Sequence, residues 1–424
     1  MLGILELLLH QLIKDFLQNI ILIDPENLNE SAGSITVEDG RIADIDGAAR
    51  GMEIDGKGAY LAPGIIDMGV KICEPGERHK ESFRSAGNSA LAGGITSLVT
   101  RPDTMPAIDT PEVLHFFQRR SSESANVKIL PIAALTKNLE GTNMTEFGLL
   151  KAKGIIGFTD GYKTIQNTRL MSRIMRSAYD LDCLIMQHVE DGELAKDGMV
   201  NDGIISTKLG LQGISSLAEK IIIERDLTLL EEFNCRYHIS QISSQKSLDV
   251  IKKRKEDLEF TCGVSINNLS LNENDIGDFK TFLKVSPPLR SEKDRMSLVN
   301  GIKEDLIDVI VSDHKPEDEE SKRLPFAQAA TGAIGVETLL PLSLELYHNG
   351  SLKLKKIIEM LTMNPSKILN IKKGSLKKGF DADICIFDLN KPWVVKANDL
   401  KSKSKNTAIE GRKLQGKVLM TFLN

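Results

Sequence analysis

The sequence lacks an excess of positive charge. It has 54 lysine and arginine residues against 59 aspartate and glutamate residues, a formal net charge of -5 and a pI near 5.9. Nucleic acids and anionic membrane surfaces attract strongly basic proteins, and this balance excludes that class. We therefore expect neither nucleic acid nor a membrane as a partner.

Cysteines are few, and their spacing does not suggest a disulfide framework. The five are odd in number, widely separated and mostly within apolar runs. This distribution is typical of reduced, buried cysteines. We therefore expect a cytoplasmic protein.

The N-terminal run MLGILELLLHQLIKDF is a poor match to a secretion signal. Glu6 and His10 interrupt the run, no basic segment precedes it, and no small-residue cleavage site follows it. The spacing of its leucines predicts an amphipathic helical extension over residues 1–15. Extra residues from an early start codon are the alternative.

From Pro63 onward, short apolar runs alternate with longer helical stretches, which is typical of βα units around a parallel sheet. The predicted strands cover residues 62–70, 95–100, 127–133, 154–159, 183–188, 235–241, 258–264 and 307–313. The predicted helices include 81–92, 111–122, 167–180, 213–233, 245–255, 291–304 and a region over 335–370. Eight such units close a (β/α)8 barrel, or TIM barrel, and chemistry is expected at the C-terminal ends of its strands.

The segments on both sides of the predicted barrel have a different pattern. Residues 16–61 and 375–424 contain short alternating runs between turn residues, such as GSITVEDGRIADID and ADICIFD. Their matching character predicts one small composite β-sandwich domain formed by both termini, with the barrel over 62–374. The fold class is therefore α/β. The lysine-rich stretch KSKSK at 401–405 is interpreted as a solvated loop.

About nine ordered segments of the chain resemble dihydroorotases of the amidohydrolase superfamily. They include PGIIDMGVKICEPGERHKE at 63–81, RPDTMPAIDTPE at 101–112, QHVEDGELAKDG at 187–198, KVSPPLR at 284–290, SDHKP at 312–316 and KKGFDADICIFD at 377–388. The resemblance implies a barrel enzyme of pyrimidine biosynthesis that opens a cyclic amide. In that family, one or two divalent metals on imidazole and carboxylate ligands activate a bridging hydroxide.

Three positions keep residues that the resemblance implies as ligands. His188 matches a metal ligand at the end of the fifth strand, and Asp313 matches the ligand and general base at the end of the eighth. Asp160, in GFTDG, matches the carboxylate region that bridges the metals in some members. The residues also have structural interpretations, as a hydrogen-bonded barrel histidine for His188 and a salt-bridge partner for Asp313.

Other positions of the implied metal site have lost their donors. The His-x-His pair of the first strand reads Gly69 and Lys71, and a histidine ligand after the sixth strand reads Gln241. Glycine has no donor atom, and an ammonium group has no lone pair to offer. We expect Lys71 to replace the charge of the metal beside Asp313 or Asp160, in space that the missing side chain of Gly69 leaves open.

Further positions depart from the pattern that the resemblance implies. Cys73 stands for an arginine that grips the substrate carboxylate, and Asp103 stands for a substrate-facing asparagine. Asn267 and Asn268 stand for two histidines after the seventh strand, and Glu317 stands for one after the eighth. These changes remove both metal and substrate contacts.

The sequence therefore predicts a catalytically inactive dihydroorotase homologue that needs no cofactor. By the resemblance alone, it is expected to act as a structural or regulatory partner of aspartate transcarbamoylase in a homo- or hetero-oligomer. The alternative is an active, zinc-dependent dihydroorotase or other cyclic amidohydrolase with a reduced site of His188, Asp160 and Asp313. A third possibility is a binding module for a different small molecule in the barrel mouth.

Overall fold

The computed structural model describes residues 14–26, 28–49 and 51–424. The helical extension predicted over residues 1–15 falls almost wholly outside the described residues. Its last two positions, residues 14 and 15, begin the first β-strand.

The strands of the described residues follow the alternation of the sequence. In chain order they are β1 (Lys14–Asp24), β2 (Leu28–Glu38), β3 (Arg41–Ile45), β4 (Met52–Pro63), β5 (Ile65–Val70), β6 (Ile95–Thr100), β7 (Lys128–Pro131), β8 (Ile185–Gln187), β9 (Val200–Asn201), β10 (Gly213–Ile214), β11 (Tyr237–Ile239), β12 (Thr261–Ser265), β13 (Val309–Val311), β14 (Ile384–Val394) and β15 (Lys413–Phe422). Strands β5 and β6 are buried at every position because both faces of a parallel sheet are covered.

Strands from both ends of the chain form one six-stranded sheet. Its order is β15-β14-β4-β1-β2-β3. β1 pairs antiparallel with β2 and parallel with β4, while β14 joins the two ends by pairing antiparallel with β4. The expectation of a composite β domain built by both termini is confirmed.

The predicted barrel is also confirmed. β5, β6 and β7 form one parallel sheet, and β8, β11, β12 and β13 form another. Phe158 bridges the two sheets by pairing with Ala133 and Ile185, so the predicted fourth strand is reduced to this short connection. Val70 pairs with His314 and closes the circle between the first and eighth positions.

Helices cover the outside of the barrel. The described helices are α1 (Phe83–Ala92), α2 (Pro111–Ser124), α3 (Phe147–Ala152), α4 (Thr168–Asp180), α5 (Ile204–Leu209), α6 (Ser216–Phe233), α7 (Gln245–Arg254), α8 (Ile266–Ser270), α9 (Glu292–Lys303), α10 (Glu319–Arg323), α11 (Leu339–His348), α12 (Leu354–Leu361) and α13 (Met363–Leu369). In α4, residues at helical spacing such as Leu170, Ile174 and Ala178 are buried toward the barrel. Many helices begin at a side-chain cap, as α1 does at Ser82 and α2 at Thr110.

The lysine-rich stretch at 401–405 is not a solvated loop, so that interpretation was wrong. Ser402 and Ser404 are buried, Lys401 and Lys403 are exposed, and Lys405 is half-buried. The Ser402 hydroxyl donates to the Glu81 carboxylate, and the Ser404 hydroxyl donates to the Lys80 carbonyl at 2.8 Å. The stretch therefore ties the C-terminal region to the loop after β5.

All five cysteines belong to the described part of the chain and are buried and unpaired. This agrees with their interpretation as reduced core residues. Within the described residues, no helix combines the length and the apolar character that a membrane crossing needs.

Candidate functional site

The strand ends meet at the barrel mouth, where a (β/α)8 barrel places its chemistry. The candidate functional side chains follow these ends by one or two residues. They are Lys71 after β5, Arg101 after β6, Asp160 after Phe158, His188 after β8, Gln241 after β11 and Asp313 after β13.

Asp313 is the centre of the hydrogen-bond network in the mouth. Its Oδ1 atom accepts from Arg101 Nη2 at 3.1 Å, from Tyr162 Oη at 2.9 Å and from Gln241 Nε2 at 2.9 Å. The residue is only 4% exposed, and its backbone is left-handed with φ of 51°. One oxygen of the carboxylate that matches a metal ligand thus already accepts from three donors of this chain.

Arg101 supplies the positive charge next to Asp313. Its guanidinium carbon lies 3.9 Å from the centre of the Tyr162 ring, and Lys315 Nζ lies 4.5 Å from the same centre. Burial acts to lower the pKa of Arg101, but Tyr162 and Asp313 outweigh it and raise the pKa further above its ordinary value. The guanidinium is therefore a permanent cation inside the mouth.

His188 is present at the predicted strand end but has few polar contacts. It is 5% exposed, and its Nε2 atom has no hydrogen-bond partner among the described residues. Burial lowers the pKa of His188 to about 3, with smaller contributions from Arg101 and Lys315, so the imidazole is neutral at physiological pH. A neutral imidazole retains a donor or acceptor role for a bound group.

Asp160 is held on the side of the third and fourth strands. It accepts a hydrogen bond from the Thr136 backbone N–H at 3.0 Å and another from the Thr136 hydroxyl. Burial raises the pKa of Asp160, and the contacts with Thr136 oppose this rise. Its carboxylate therefore has a structural partner.

The reduced metal site suggested by the sequence is not assembled. Within the residues that the structure describes, no three histidine, cysteine, aspartate or glutamate side chains come together as a group that could hold a metal ion. His188, Asp160 and Asp313 thus do not form a joint ligand set.

The first strand has no room for an imidazole at position 69. A Cβ atom added to Gly69 would lie 2.8 Å from Val311 Cβ and 2.9 Å from Val311 Cγ2. The expectation that Gly69 leaves open space is therefore wrong, because the side chain of the facing strand fills it.

Lys71 pairs with different carboxylates from those expected. Its Nζ atom lies 3.3 Å from Asp103 Oδ2 and 3.6 Å from Glu77 Oε2. Burial acts to lower the pKa of Lys71, but Asp103 and other neighbours outweigh it and raise the pKa. The prediction of a pair with Asp313 or Asp160 is wrong, because Arg101 is the cation that contacts Asp313.

The remaining altered positions have local partners of their own. Burial raises the pKa of the Cys73 thiol to about 12, which makes it unreactive. Glu317 Oε2 lies 2.9 Å from Lys80 Nζ. Asn268 Nδ2 donates to the Pro288 carbonyl at 3.0 Å, while Asn267 Nδ2 has no partner among the described residues.

Sequence reasoning missed Arg101, Tyr162 and Lys315. A usable signal existed for each, because Arg101 follows β6 directly, Tyr162 lies two residues beyond Asp160, and Lys315 lies two residues beyond Asp313. Charged and aromatic residues at strand ends are candidates for the barrel mouth, even where related proteins have other residue types at those positions.

A divalent metal does not fit the donors that the mouth presents. A catalytic zinc site needs about three protein ligands, and Asp313 here shares its Oδ1 atom with a guanidinium that would repel the metal. The orphaned His188 Nε2 is a donor atom without a second imidazole from the first strand. The charged side chains of the mouth thus pair with one another and do not form a ligand set for a metal.

Comparisons with known proteins agree on the family. A family model described as dihydro-orotase-like matches residues 58–247. The dihydroorotase of Ehrlichia canis is 39% identical over 416 residues, which cover 96% of this chain and 93% of that protein. The dihydroorotase of Aquifex aeolicus is 37% identical over 415 residues, which cover 97% and 98% of the two chains.

A solved structure supports the architecture. The L-hydantoinase (dihydropyrimidinase) from Arthrobacter aurescens superposes with a TM-score of 0.86 at 23% identity, covering 97% of this chain and 95% of that one. A likeness at this identity concerns the fold alone. From its sequence relatives and its architecture, this chain belongs to the dihydro-orotase-like family of amidohydrolases.

Proposed function

We propose that this chain serves pyrimidine biosynthesis as a dihydroorotase-family protein that does not hydrolyse a cyclic amide on its own. The observation that carries the proposal is the contact between Arg101 Nη2 and Asp313 Oδ1 at 3.1 Å. It engages Oδ1, one of the two oxygens of the carboxylate that matches the general base of the family. The proposal therefore rests on the geometry of the mouth.

Hydrolysis of a cyclic amide needs an activated water molecule and stabilisation of the developing oxyanion. In the family, the metal supplies both. Here Asp313 Oδ1 already accepts three hydrogen bonds, and His188 Nε2 has no hydrogen-bond partner among the described residues. Cys73, at the position implied to grip the substrate carboxylate, carries no positive charge.

The second candidate is an active dihydroorotase with zinc. The relatives support this candidate more strongly than the first, because proteins named dihydroorotase match nearly the whole chain at 37–39% identity. The unpartnered Nε2 atom of buried His188 also favours it, since such an atom is available to a bound group. In this candidate function, the carboxylate of Asp313 would bind the zinc and would no longer pair with Arg101.

The partner is proposed to be aspartate transcarbamoylase, and the support is the family resemblance. A chain without hydrolytic activity keeps a role in the pathway if it holds or regulates a neighbouring enzyme. Co-expression of the tagged chain with aspartate transcarbamoylase from the same organism tests this. A stable complex by size-exclusion chromatography with light scattering is expected, and two separate peaks at micromolar concentration would argue against the partnership.

One experiment separates the two candidate functions. The purified chain is assayed in both directions, with carbamoyl aspartate and with dihydroorotate, after chelation and again with excess zinc or manganese. We expect no turnover above the buffer rate under any condition. Turnover near one per second that disappears in Asp313→Asn would establish the active enzyme instead. Arg119→Met, which changes an exposed side chain, is the matched control for purification and folding.

The same assay is repeated with aspartate transcarbamoylase present. A chain that is only structural stays inactive in the mixture. Activity that appears only in the complex would show that the partner completes the site, and it would move the assignment to the active candidate.

A further inference from the structure

We propose that the guanidinium of Arg101 is the resident cation of the barrel mouth, built into the chain where the family places a divalent metal. This inference goes with the proposed lack of metal-dependent hydrolysis, but it concerns stability and is measured separately. At this site Arg101 and Asp313 thus form a structural ion pair, which the Tyr162 ring stabilises.

The position of Arg101 in the fold brings it close to two other strand ends. Arg101 is the residue directly after β6, and its backbone N–H donates to the Val70 carbonyl at 3.0 Å. This bond fixes the backbone of Arg101 beside the end of β5. From there the guanidinium reaches Asp313, which lies after the eighth strand and 212 positions further along the chain. Through its backbone and its side chain, Arg101 therefore links three neighbouring strand ends.

Tyr162 binds both members of the pair. Its ring face lies 3.9 Å from the Arg101 guanidinium carbon, and its hydroxyl donates to Asp313 Oδ1 at 2.9 Å. The negative face of an aromatic ring stabilises a cation, while the hydroxyl stabilises the carboxylate. The geometry thus favours a fixed ion pair over a mobile arginine.

Among the described residues, Arg101 is the cation in direct contact with Asp313, and Lys315 adds a longer-range attraction to the same carboxylate. Asp313 and Asp103 are the anions that act on Arg101, Lys315 lies over the same Tyr162 ring, and His188 is neutral. Lys71 is engaged by Asp103 and Glu77. Arg101 consequently supplies the main countercharge of Asp313, as an isolated buried carboxylate would be strongly unfavourable.

Substitution of Arg101 tests this dependence by thermal unfolding of the full chain. Arg101→Met keeps an apolar stem of similar length but removes the charge and leaves Asp313 unpaired. We expect the Tm to fall by at least about 4 °C at neutral pH, because breaking one side of a buried pair is among the costlier single changes. Arg101→Lys keeps the charge without the planar fork and is expected to fall between the parent and Arg101→Met.

The double variant Arg101→Met/Asp313→Asn separates charge pairing from simple packing. Removing the carboxylate as well is expected to recover at least half of the loss in Tm. If Arg101→Met does not fold, a folded double variant supports the ion pair, and a double variant that also fails overturns it. Arg119→Met, at an exposed position, is the control and is expected to change the Tm by less than about 1 °C.

Metal addition supplies an independent readout. With the cation built in, neither chelator nor excess zinc or manganese is expected to shift the Tm of the parent by more than about 1 °C, since a ligand that binds the folded state would raise it. A saturable rise of several degrees with one zinc per chain would overturn the inference, as would Arg101→Met with the Tm of the parent.

The outcomes distinguish this inference from the proposed function. An inactive parent with a fully stable Arg101→Met variant retains the proposed function and ends the inference. A parent that turns over substrate, but loses Tm in Arg101→Met and ignores added metal, ends the proposed function and retains the inference.

Discussion

Lys71 Nζ lies 3.3 Å from Asp103 Oδ2, so two positions that depart from the family pattern pair with each other. By the resemblance, Lys71 stands for a ligand histidine and Asp103 for a substrate-facing asparagine, so the two changes introduce opposite charges that compensate each other in the mouth. Their side chains are 14% and 17% exposed, so solvent screens the pair only in part. The mouth thus contains this pair beside that of Arg101 and Asp313.

Lys71→Met should destabilise the folded chain by about 1–3 kcal/mol, since the pair is intermediate between surface and fully buried cases. Asp103→Asn should have a similar cost. The double variant should cost clearly less than the sum, because it leaves no unpaired charge. Urea unfolding at neutral pH measures all three, and strictly additive costs would contradict the coupling. Arg119→Met, at an exposed position, is the control and should stay within about 0.5 kcal/mol of the parent.

Gly69 should not accept a side chain. A Cβ atom there would lie 2.8 Å from Val311 Cβ, so Gly69→Ala is expected to cost about 1–3 kcal/mol through overpacking. In Gly69→Ala/Val311→Ala the cost should be less than the sum of the two single changes. Gly148 is the control, since a Cβ atom there meets nothing within 4 Å. An unfolding curve of Gly69→Ala that coincides with that of the parent would show that Val311 moves aside freely.

Lys322 should make stability depend on pH in the alkaline range. Its Nζ atom donates to the carbonyls of Ala330 and Gly332 at 2.8 and 2.9 Å, and burial lowers the pKa of Lys322 to about 7. Between that pH and about 10.5, the unfolded chain binds a proton that the folded chain lacks. The free energy of unfolding therefore gains a contribution that rises with pH across this window, by at most about 1.4 kcal/mol per pH unit.

Lys322→Met should remove this rise, since it has no proton to bind in either state. Urea unfolding at pH 7, 8 and 9 is measured for both proteins, and the difference between their slopes isolates Lys322 from other groups that titrate in both. Parallel slopes for parent and variant would count against a depressed pKa at this position.

Ser402→Ala should loosen the connection between residues 401–405 and the barrel. The Ser402 hydroxyl donates to the buried Glu81 carboxylate, and Lys403 N donates to the same group at 3.3 Å. Loss of one donor to a buried charge is expected to cost about 1–3 kcal/mol. Lys401→Ala, with an exposed side chain in the same stretch, is the control and should stay within about 0.5 kcal/mol of the parent. Equal stabilities of the two variants would restore the interpretation as a solvated loop.

Metal analysis should give well under one zinc per chain for protein purified without added metal. The reason is the missing donors at Gly69, Lys71 and Gln241, and the guanidinium beside Asp313. Elemental analysis before and after dialysis against chelator measures this. One to two equivalents that survive the chelator would support the zinc-dependent candidate.

The sequence by itself determined the architecture and the changed positions. Alternation with period two and helical periodicity are local properties, so eight βα units and the β segments at both ends could be predicted from them. The ligand replacements that the resemblance implies at Gly69, Lys71 and Gln241 can likewise be identified from the sequence alone. The KSKSK stretch shows the limit, because its charges suggested solvent while its serines are buried.

Only the tertiary structure decided which charges pair at the mouth. Asp313 takes its partners from residues 72, 151 and 212 positions away, and no local pattern ranks Arg101 above Lys71 as its cation. The choice depends on distances between strand ends and on Val311 filling the space at Gly69. Ion pairing falls off with distance and with exposure to water, so a difference of a few ångströms selects the partner. Such distances exist only after the barrel has closed.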